Sequence, residues 1–290
     1  MAEPPFSPQR SGASRRDADA MDLCLPLPVQ TAQLVGQQQQ LYGLERVAEN
    51  LGLWLDRLIP VNRGDKEPWV LRAEARQMAL SAFCKSYRSG TGSHALTRQR
   101  EAVKSLHSAE QSRLLRARQQ GRLLTDAGRA HTLLSSLSFH PMWGVPRIAG
   151  SAIKGAVRSL AEAEGAHLLV DALGTQKKSS QIVFYDALPV DGKFTLALDV
   201  VTPHYGDYYT GKAPPTERLG PIPHTFLTVV ETTFEFWFAI ESDSEHSDRD
   251  RKILDEAQKY LEFVLSEWGV GGKTSAGYGR FAIEAGVSQP

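Results

Sequence analysis

The segment from Phe234 to Glu284 constrains the fold of this 290-residue chain more than any other. Phe234, Phe236, Phe238 and Ile240 fall on every second residue, the period of a strand with one covered face. Ile253, Leu254, Ala257, Leu261, Val264, Leu265 and Trp268 then recur at three- and four-residue steps, the stripe of a helix that must bury one side. Ser247 or Asp248 can cap this helix, Gly269 can end it, and Tyr278 to Glu284 supplies a closing strand. A strand, a helix and a strand in that order bury the helix stripe most simply against a sheet.

A similar order stands upstream. Thr132 to Phe139 reads as a strand, Ser151 to Glu164 as a helix ended by Gly165, and Gln181 to Tyr185 as a second strand. Phe194, Leu196, Leu198 and Val200 alternate through a third strand. Two strand-helix-strand halves predict an α+β domain over residues 121–290, with a ferredoxin-like sheet. Residues 1–20 are rich in Pro, Ser, Arg, Asp and Ala and are expected to form a disordered tail. Between them, residues 21–120 are expected to be mainly helical. Leu44, Val47, Ala48, Leu51, Trp54, Leu55 and Leu58 carry the helical period up to Pro60, and 69–86 and 94–120 repeat it around a flexible break at Ser89–Ser93.

Equal numbers of basic and acidic residues argue against a protein that coats a polyanion through bulk charge. The charges are unevenly distributed, however. From Lys85 to Arg129 the Lys and Arg residues outnumber the acids ten to three, and from Glu231 to Glu256 the acids lead nine to three. A basic face and an acidic end suit a molecule that grips a polyanion on one side and meets proteins on another. Cys24 and Cys84 lack the spacing of a metal site or a disulfide framework, so no metal or other cofactor is expected. No apolar run reaches the roughly 20 residues needed to span a bilayer, and the expected location is the cytoplasm.

The run from Gly269 to Arg280 contains Gly-Lys-Thr, which raises the question of a nucleotide-binding loop. Counting five residues back from Gly272 reaches Glu267 where that loop needs glycine. The run also follows a helix and precedes a strand, so the wrong end of the helix dipole faces any phosphate. Two readings remain open. Backbone N–H groups of Gly271, Gly272, Lys273 and Thr274 can form a nest for a phosphodiester, with charge from Lys273 and Arg280 and a stacking ring from Tyr278. Alternatively, the glycines serve a tight connection needing positive φ. On the upstream helix, Ser151 is a candidate N-cap, and Lys154 and Arg158, four apart, share one face as a candidate phosphate clamp or as two solvated cations.

Several segments together resemble the RAMP superfamily of CRISPR effector proteins. Gly144-Val-Pro-Arg-Ile-Ala-Gly-Ser-Ala-Ile-Lys-Gly-Ala-Val-Arg158 is similar to its G-x-P-x-I-P-G-S-S-x-K-G-x-x-R segment, with Ala149 where the pattern has proline. Gly271-Gly-Lys-Thr-Ser-Ala-Gly-Tyr-Gly-Arg-Phe281 is similar to its glycine-rich signature. Asp199-Val-Val-Thr-Pro-His-Tyr-Gly-Asp-Tyr-Tyr209 with Pro221-Ile-Pro-His-Thr-Phe-Leu-Thr-Val229 resembles the sixth-subunit family of the type III-B, or Cmr, complex. Asn50-Leu-Gly-Leu-Trp-Leu-Asp56 and Phe184-Tyr-Asp-Ala-Leu-Pro189 fit that family as well. The resemblance implies a modified ferredoxin-like, RNA-recognition-like fold. It also implies a non-catalytic subunit that holds the 3′ part of the CRISPR RNA, supports target RNA recognition in antiviral defence, and stacks against other subunits of the complex.

On this reading Ser151, Lys154, Arg158, Gly271, Gly272, Lys273, Thr274, Tyr278 and Arg280 are expected to contact RNA. His204, Tyr205, Tyr208 and Tyr209 are expected to meet RNA or a neighbouring subunit. The rival reading is a metal-independent endoribonuclease that processes CRISPR RNA, with His140, His204 or His224 as its acid-base group. A pure protein adaptor using the aromatic loop is the third.

Overall fold

The computed structural model describes residues 23–24, 50–57, 61–63, 68–70, 80–81, 84, 92–128, 137–202, 211, 214, 223–241 and 248–285. The tail 1–20, His204, Tyr205, Tyr208, Tyr209, Ser247 and most of the expected strand 132–139 lie outside these residues.

Short strands β1 (Leu23–Cys24), β2 (Val61–Arg63) and β3 (Pro68–Val70) pair antiparallel in a small sheet. Helix α1 (Leu51–Arg57) starts where the Asn50 side chain accepts a hydrogen bond from the Leu53 N–H at 3.0 Å. Leu51 and Leu55 of α1 join the main core, as do Leu80 and Leu96. Burial pushes the Cys84 thiol up to about 11, which fits an inert structural cysteine.

The main sheet is built from β4 (Ser112–Gln120), β6 (Ile182–Phe184), β7 (Leu188–Pro189), β10 (Thr233–Ile240) and β11 (Arg280–Ile283). Its order is β11-β4-β10-β6, antiparallel throughout, with β7 pairing β10 beside β6. Helices α3 (Gly150–Ala163) and α5 (Asp248–Phe263) cover one face. Ile153, Val157 and Leu160 of α3 and Ile253, Leu254, Ala257 and Leu261 of α5 meet Leu115, Phe234, Phe236, Phe238 and Ile240 in one core. Phe281 of β11 stands edge-on to Phe234 and Phe236, with ring centroids 5.9 and 5.4 Å away. The short helix α4 (His167–Ala172) packs beside α3.

Two expectations change here. The helical period attributed to 94–120 ends at Leu106: α2 is Gly92–Leu106, and Ser112–Gln120 is a long strand of the main sheet. Its leucines and alternating arginines satisfy either period over so short a run, and pairing with both β10 and β11 decides it. The strand β10 was expected to have one covered face, yet every residue from Phe234 to Ile240 is buried. Helix α2 covers the second face, where Val103, Leu114 and Trp237 form a separate apolar cluster.

That second face holds a fully buried carboxylate. Glu235 accepts hydrogen bonds from Arg100 Nη2 (2.6 Å), Arg100 Nε (2.9 Å), Arg116 Nε (2.7 Å) and Trp237 Nε1 (3.1 Å). Burial works to raise its pKa, but these hydrogen bonds and the Arg100 charge outweigh burial and hold the carboxyl below its ordinary value.

A third sheet, β5-β9-β8, joins β5 (Arg122–Leu123), β9 (His224–Val230) and β8 (Thr195–Val201). The chain crosses from one sheet to the other twice, side by side. Gly121 at φ 73° links β4 to β5, and Glu231 at φ 49° lies between β9 and β10. The Gln119 N–H donates to the Thr232 carbonyl at 2.9 Å and the Gln119 amide to the Val229 carbonyl at 2.6 Å, locking the two crossings together.

Replacing Glu235 by Ala leaves two arginines facing a buried hole, a change on the order of 3 kcal/mol in unfolding free energy measured in urea. The sign with pH follows from the depressed pKa. The stabilisation is present above the ordinary carboxylate value of 4.5 and is lost as pH falls through the folded value. Below that range wild type and Glu235→Ala should converge in stability; a gap that stays constant into acid would contradict this assignment.

Candidate nucleic-acid interface

A groove of about 930 Å³ runs between helix α3 and the glycine-rich run. Ala149, Ala152, Ala156 and Ser159 form one wall, one stripe along α3. Gly269 to Gly272, Thr274 and Ser275 form the opposite wall. Thr125 to Gly128 close one side, and Arg147, Glu267, Trp268 and Arg280 are among the remaining lining residues. The two segments that identify the superfamily thus face each other across one space.

The start of α3 is set by a side chain from elsewhere in the sequence. Ser151 was the expected cap, but Ala149 occupies the N-cap position and Ser151 is already helical, exposed to solvent. The Gly150 N–H instead donates to Asp186 Oδ1 at 2.9 Å, while Asp186 Oδ2 pairs with Arg147 at 2.6 Å. A carboxylate at a helix N-terminus suits the dipole, and this one holds Arg147 in the groove wall. Gly150 is needed because a Cβ there would run into the backbone of Phe184 and Tyr185.

The glycine-rich run is folded on itself. The Gly272 N–H donates to the Leu124 carbonyl at 2.7 Å, the Gly279 N–H to the Arg122 carbonyl at 2.7 Å, and the Val270 N–H to the Gly279 carbonyl at 2.9 Å. Gly269, Gly271 and Gly279 have φ of 79°, 97° and 71°, and a Cβ on Gly279 would collide with the Val270 carbonyl. The tight-connection reading therefore accounts for most of these glycines. Gly271, Gly272, Thr274 and Arg280 still line the groove.

The other expected RNA contacts point elsewhere. The Lys273 ammonium lies 5.1 Å from the centre of the Phe226 ring, a cation–π contact. The Tyr278 hydroxyl donates to Asp199 Oδ2, and Asp199 pairs with Arg122 Nε at 3.1 Å. Burial and the Asp199 hydrogen bond push the Tyr278 hydroxyl up to about 12. Burial opposes ionisation of Asp199, but Tyr278, the Val200 N–H, Arg122 and Lys273 together hold its carboxyl below the ordinary range. Asp199 thus anchors the glycine-rich run to β8. Lys154 and Arg158 do share a face, but at 100° per residue it lies across the helix from Ala152, Ala156 and Ser159. Arg158 donates to the Gly174 carbonyl at 2.6 Å and to Glu162 at 3.2 Å. Burial and the Arg158 charge lower the Lys154 pKa.

Trp268, like Arg147, lines the groove without having been among the expected contacts. It was assigned to the buried stripe of the last helix, yet it is 42% exposed and lines the groove. After Phe263 the helix widens into a π-turn over Val264–Trp268, with the Gly269 N–H reaching back to the Val264 carbonyl at 2.7 Å. The extra residue in that turn rotates Trp268 off the stripe. The three- and four-residue period runs unbroken through Leu265 and Trp268, so the sequence carries no local mark of this turn.

Of the candidate histidines, His204 lies outside the described residues, and His224 begins β9. His140 Nδ1 accepts from the Met142 N–H at 3.3 Å within a turn, and burial followed by the Arg147 charge lowers its pKa. Among the described residues no three His, Cys, Asp or Glu side chains are grouped to hold a metal ion, and no helix is long and apolar enough to cross a membrane.

The RAMP superfamily model matches residues 120–282, a span that contains both groove walls. The chain belongs to the RAMP superfamily. Within it the chain is Cmr6-like. It is 39% identical over 120 residues to the CRISPR system Cmr subunit Cmr6 of Pyrococcus furiosus, covering 39% of this chain and 33% of that protein. It is 30% identical over 166 residues to the Cmr6 subunit of Saccharolobus solfataricus, covering 56% of this chain and 51% of the relative. The chain thus spans about half or less of the curated relatives it matches. A chain of the type III-B Cmr-beta complex bound to cognate target RNA shares the fold, with a TM-score of 0.58 and 20% identity over 87% of this chain and 94% of that one.

The backbone contacts of the run give a direct comparison. Gly279→Ala must displace the Val270 carbonyl, whereas Gly277, at φ 84° with open space around its Cβ position, faces only the left-handed conformation penalty. Gly277→Ala should cost about 1 kcal/mol and Gly279→Ala several times that, read from paired thermal melts. Equal losses would show that the Val270 approach is not the constraint.

Proposed function

We propose that this chain is a non-catalytic, RNA-binding subunit of a type III-B CRISPR effector complex. On this reading it holds the 3′ part of the CRISPR RNA and supports target RNA recognition in antiviral defence. The observation that carries the proposal is the groove itself, in which the two superfamily segments form facing walls of small residues, hydroxyls and glycine backbone. Such walls let a sugar-phosphate strand approach closely, Arg280 offers charge to a phosphate, and Trp268 offers a ring to a base. The groove also holds Asp126 and Glu267, and Arg147 is matched by Asp186. The surface is therefore suited to one shaped strand rather than to bulk polyanion.

The antiparallel order β11-β4-β10-β6 with α3 and α5 on one face supports the modified ferredoxin-like arrangement. Residues 21–120 would then add α1 and α2 and supply the first long strand of that sheet. The named relatives are Cmr subunits and the structural neighbour comes from a complex bound to cognate target RNA, which supports CRISPR RNA, target RNA and other Cmr subunits as partners. Lys154 and Arg158, away from the groove, are proposed as a secondary contact on the same RNA.

Binding of a labelled single-stranded RNA to the full chain, titrated across salt, tests the reading. Arg280→Ala should weaken binding of all sequences alike and lower the salt slope by about one. Trp268→Ala should weaken it about tenfold at unchanged slope, and Lys154→Ala with Arg158→Ala should lower affinity less than Trp268→Ala. Affinity and slope unchanged in Arg280→Ala and Trp268→Ala alike would remove the groove as the RNA path. RNA incubated with the chain in EDTA should stay intact; cleavage abolished by His140→Ala or His204→Ala would establish the processing nuclease instead.

A further inference from the structure

A second cleft, about 480 Å³, opens on the other side of the Arg147–Asp186 ion pair. Three elements meet there. Helix α2 brings Arg98 and Gln99, the turn after Phe139 brings His140, Met142 and Trp143, and the end of β6 brings Phe184 and Tyr185. Its volume lies within the range of small-ligand pockets. Flat π-surfaces are prominent in its walls: Trp143 and Phe184 pack against the core on one side and face the cleft on the other.

We propose that this cleft receives one unstacked nucleobase of a bound RNA strand, a site that rests on the RNA-binding reading and extends it. The chemistry fits a base. Indole, phenol, imidazole and guanidinium planes stack on any nucleobase, and stacking tolerates sequence. The Arg98 guanidinium stands over the Trp143 ring at 5.8 Å, placing a cation beside the aromatic surface. The Asp186 carboxylate is engaged by Arg147 and by the Gly150 N–H, so its negative charge is already matched.

The walls are also held in place before any ligand arrives. The Tyr185 hydroxyl and His107 Nε2 are hydrogen-bonded at 2.8 Å, and Phe184 stacks on Phe238 of the core with centroids 5.5 Å apart. The turn carrying Trp143 is closed by the His140 N–H to the Val145 carbonyl at 2.7 Å and the Gly144 N–H to the His140 carbonyl at 2.8 Å. Asn50 tethers it further through its amide to the Pro141 carbonyl at 2.7 Å. That turn holds Met142 68% exposed at the mouth, where a flexible thioether can adapt to a ring placed in the cleft. Gln99 donates to the Asp186 carbonyl at 2.7 Å, yet its own Oε1 is buried without a donor among the described residues. An amino group on a base edge would satisfy that acceptor after a small side-chain movement.

The test uses the full chain and a fluorescein-labelled single-stranded RNA, with a matched series in which one nucleotide at a time lacks its base. Wild type should show one position where loss of the base weakens binding about tenfold, and Trp143→Ala should weaken the intact RNA by a similar factor while becoming insensitive at that position. The salt slope should stay unchanged, since no phosphate contact is lost, and Trp143→Phe should bind nearly as wild type. If Trp143→Ala does not fold, Arg98→Ala, on the exposed face of α2, takes its place in the same base-deletion series. Wild-type affinity and an unaltered base-deletion pattern in Trp143→Ala, with Arg280→Ala still impaired, would overturn the base pocket and leave the groove standing. No effect in either variant would remove both the cleft and Arg280 as RNA contacts, and no binding of the RNA by wild type would remove the RNA-binding reading beneath them. Normal RNA binding in Trp143→Ala with impaired assembly onto the other subunits would overturn the proposal in favour of a protein occupant.

Discussion

A buried carboxylate organises the middle of this molecule. Glu235 sits on the central strand with no solvent exposure, and an unpaired charge there would be prohibitive. Arg116 from β4 and Arg100 from α2 remove that cost with short hydrogen bonds, and Trp237 adds a third donor from the same strand. The arrangement requires helix α2 to lie on the sheet face opposite α3 and α5. Once α2 is there, Val103 completes a small apolar cluster with Leu114 and Trp237, and Arg98 and Gln99 are delivered to the aromatic cleft. A charge that must be neutralised thereby determines where the aromatic cleft lies.

Backbone proximity is the second constraint, and it shapes the groove. Gly150 lets the start of α3 approach β6 closely enough for Asp186 to cap it, and Gly279 lets the end of the glycine-rich run lie against Val270. Each close approach brings a superfamily segment to a fixed place, and the two places face each other. The Asp199–Tyr278 hydrogen bond ties the same run to the sheet β5-β9-β8, where Arg122 pairs with Asp199 and the Phe226 ring meets Lys273. The groove is thus a consequence of rigid backbone geometry on both sides, the condition under which a binding surface stays shaped in the absence of its ligand.

Much was legible in the chain itself. The alternation from Phe234 to Ile240, the helix stripe from Ile253 to Leu265, the end at Gly269 and the helix before Gly165 all follow from local periodicity and glycine chemistry, and the structure agrees within a residue or two. The superfamily segments were readable for the same reason, since they are contiguous and rich in residues with few conformational substitutes. Ser112–Gln120 was misread because Leu114, Leu115 and Ala117 suit a helix stripe as well as a strand buried on both sides. Trp268 was misplaced because a π-turn leaves almost no mark on composition.

Which residues share a site was decided by tertiary structure. Lys154 and Arg158 looked like a clamp by spacing, but their face is set by which side of α3 the core takes, and the core takes Ile153, Val157 and Leu160. Asp186 became the cap of α3, Asp199 the partner of Tyr278, and Trp143 the wall of a cleft only through contacts between segments far apart in the chain. The sequence by itself determined the family and most of the elements after Gly121, because those depend on contiguous motifs and short-range periodicity. Only packing determined the groove and the cleft, because a site is a set of distances between residues that no local pattern encodes.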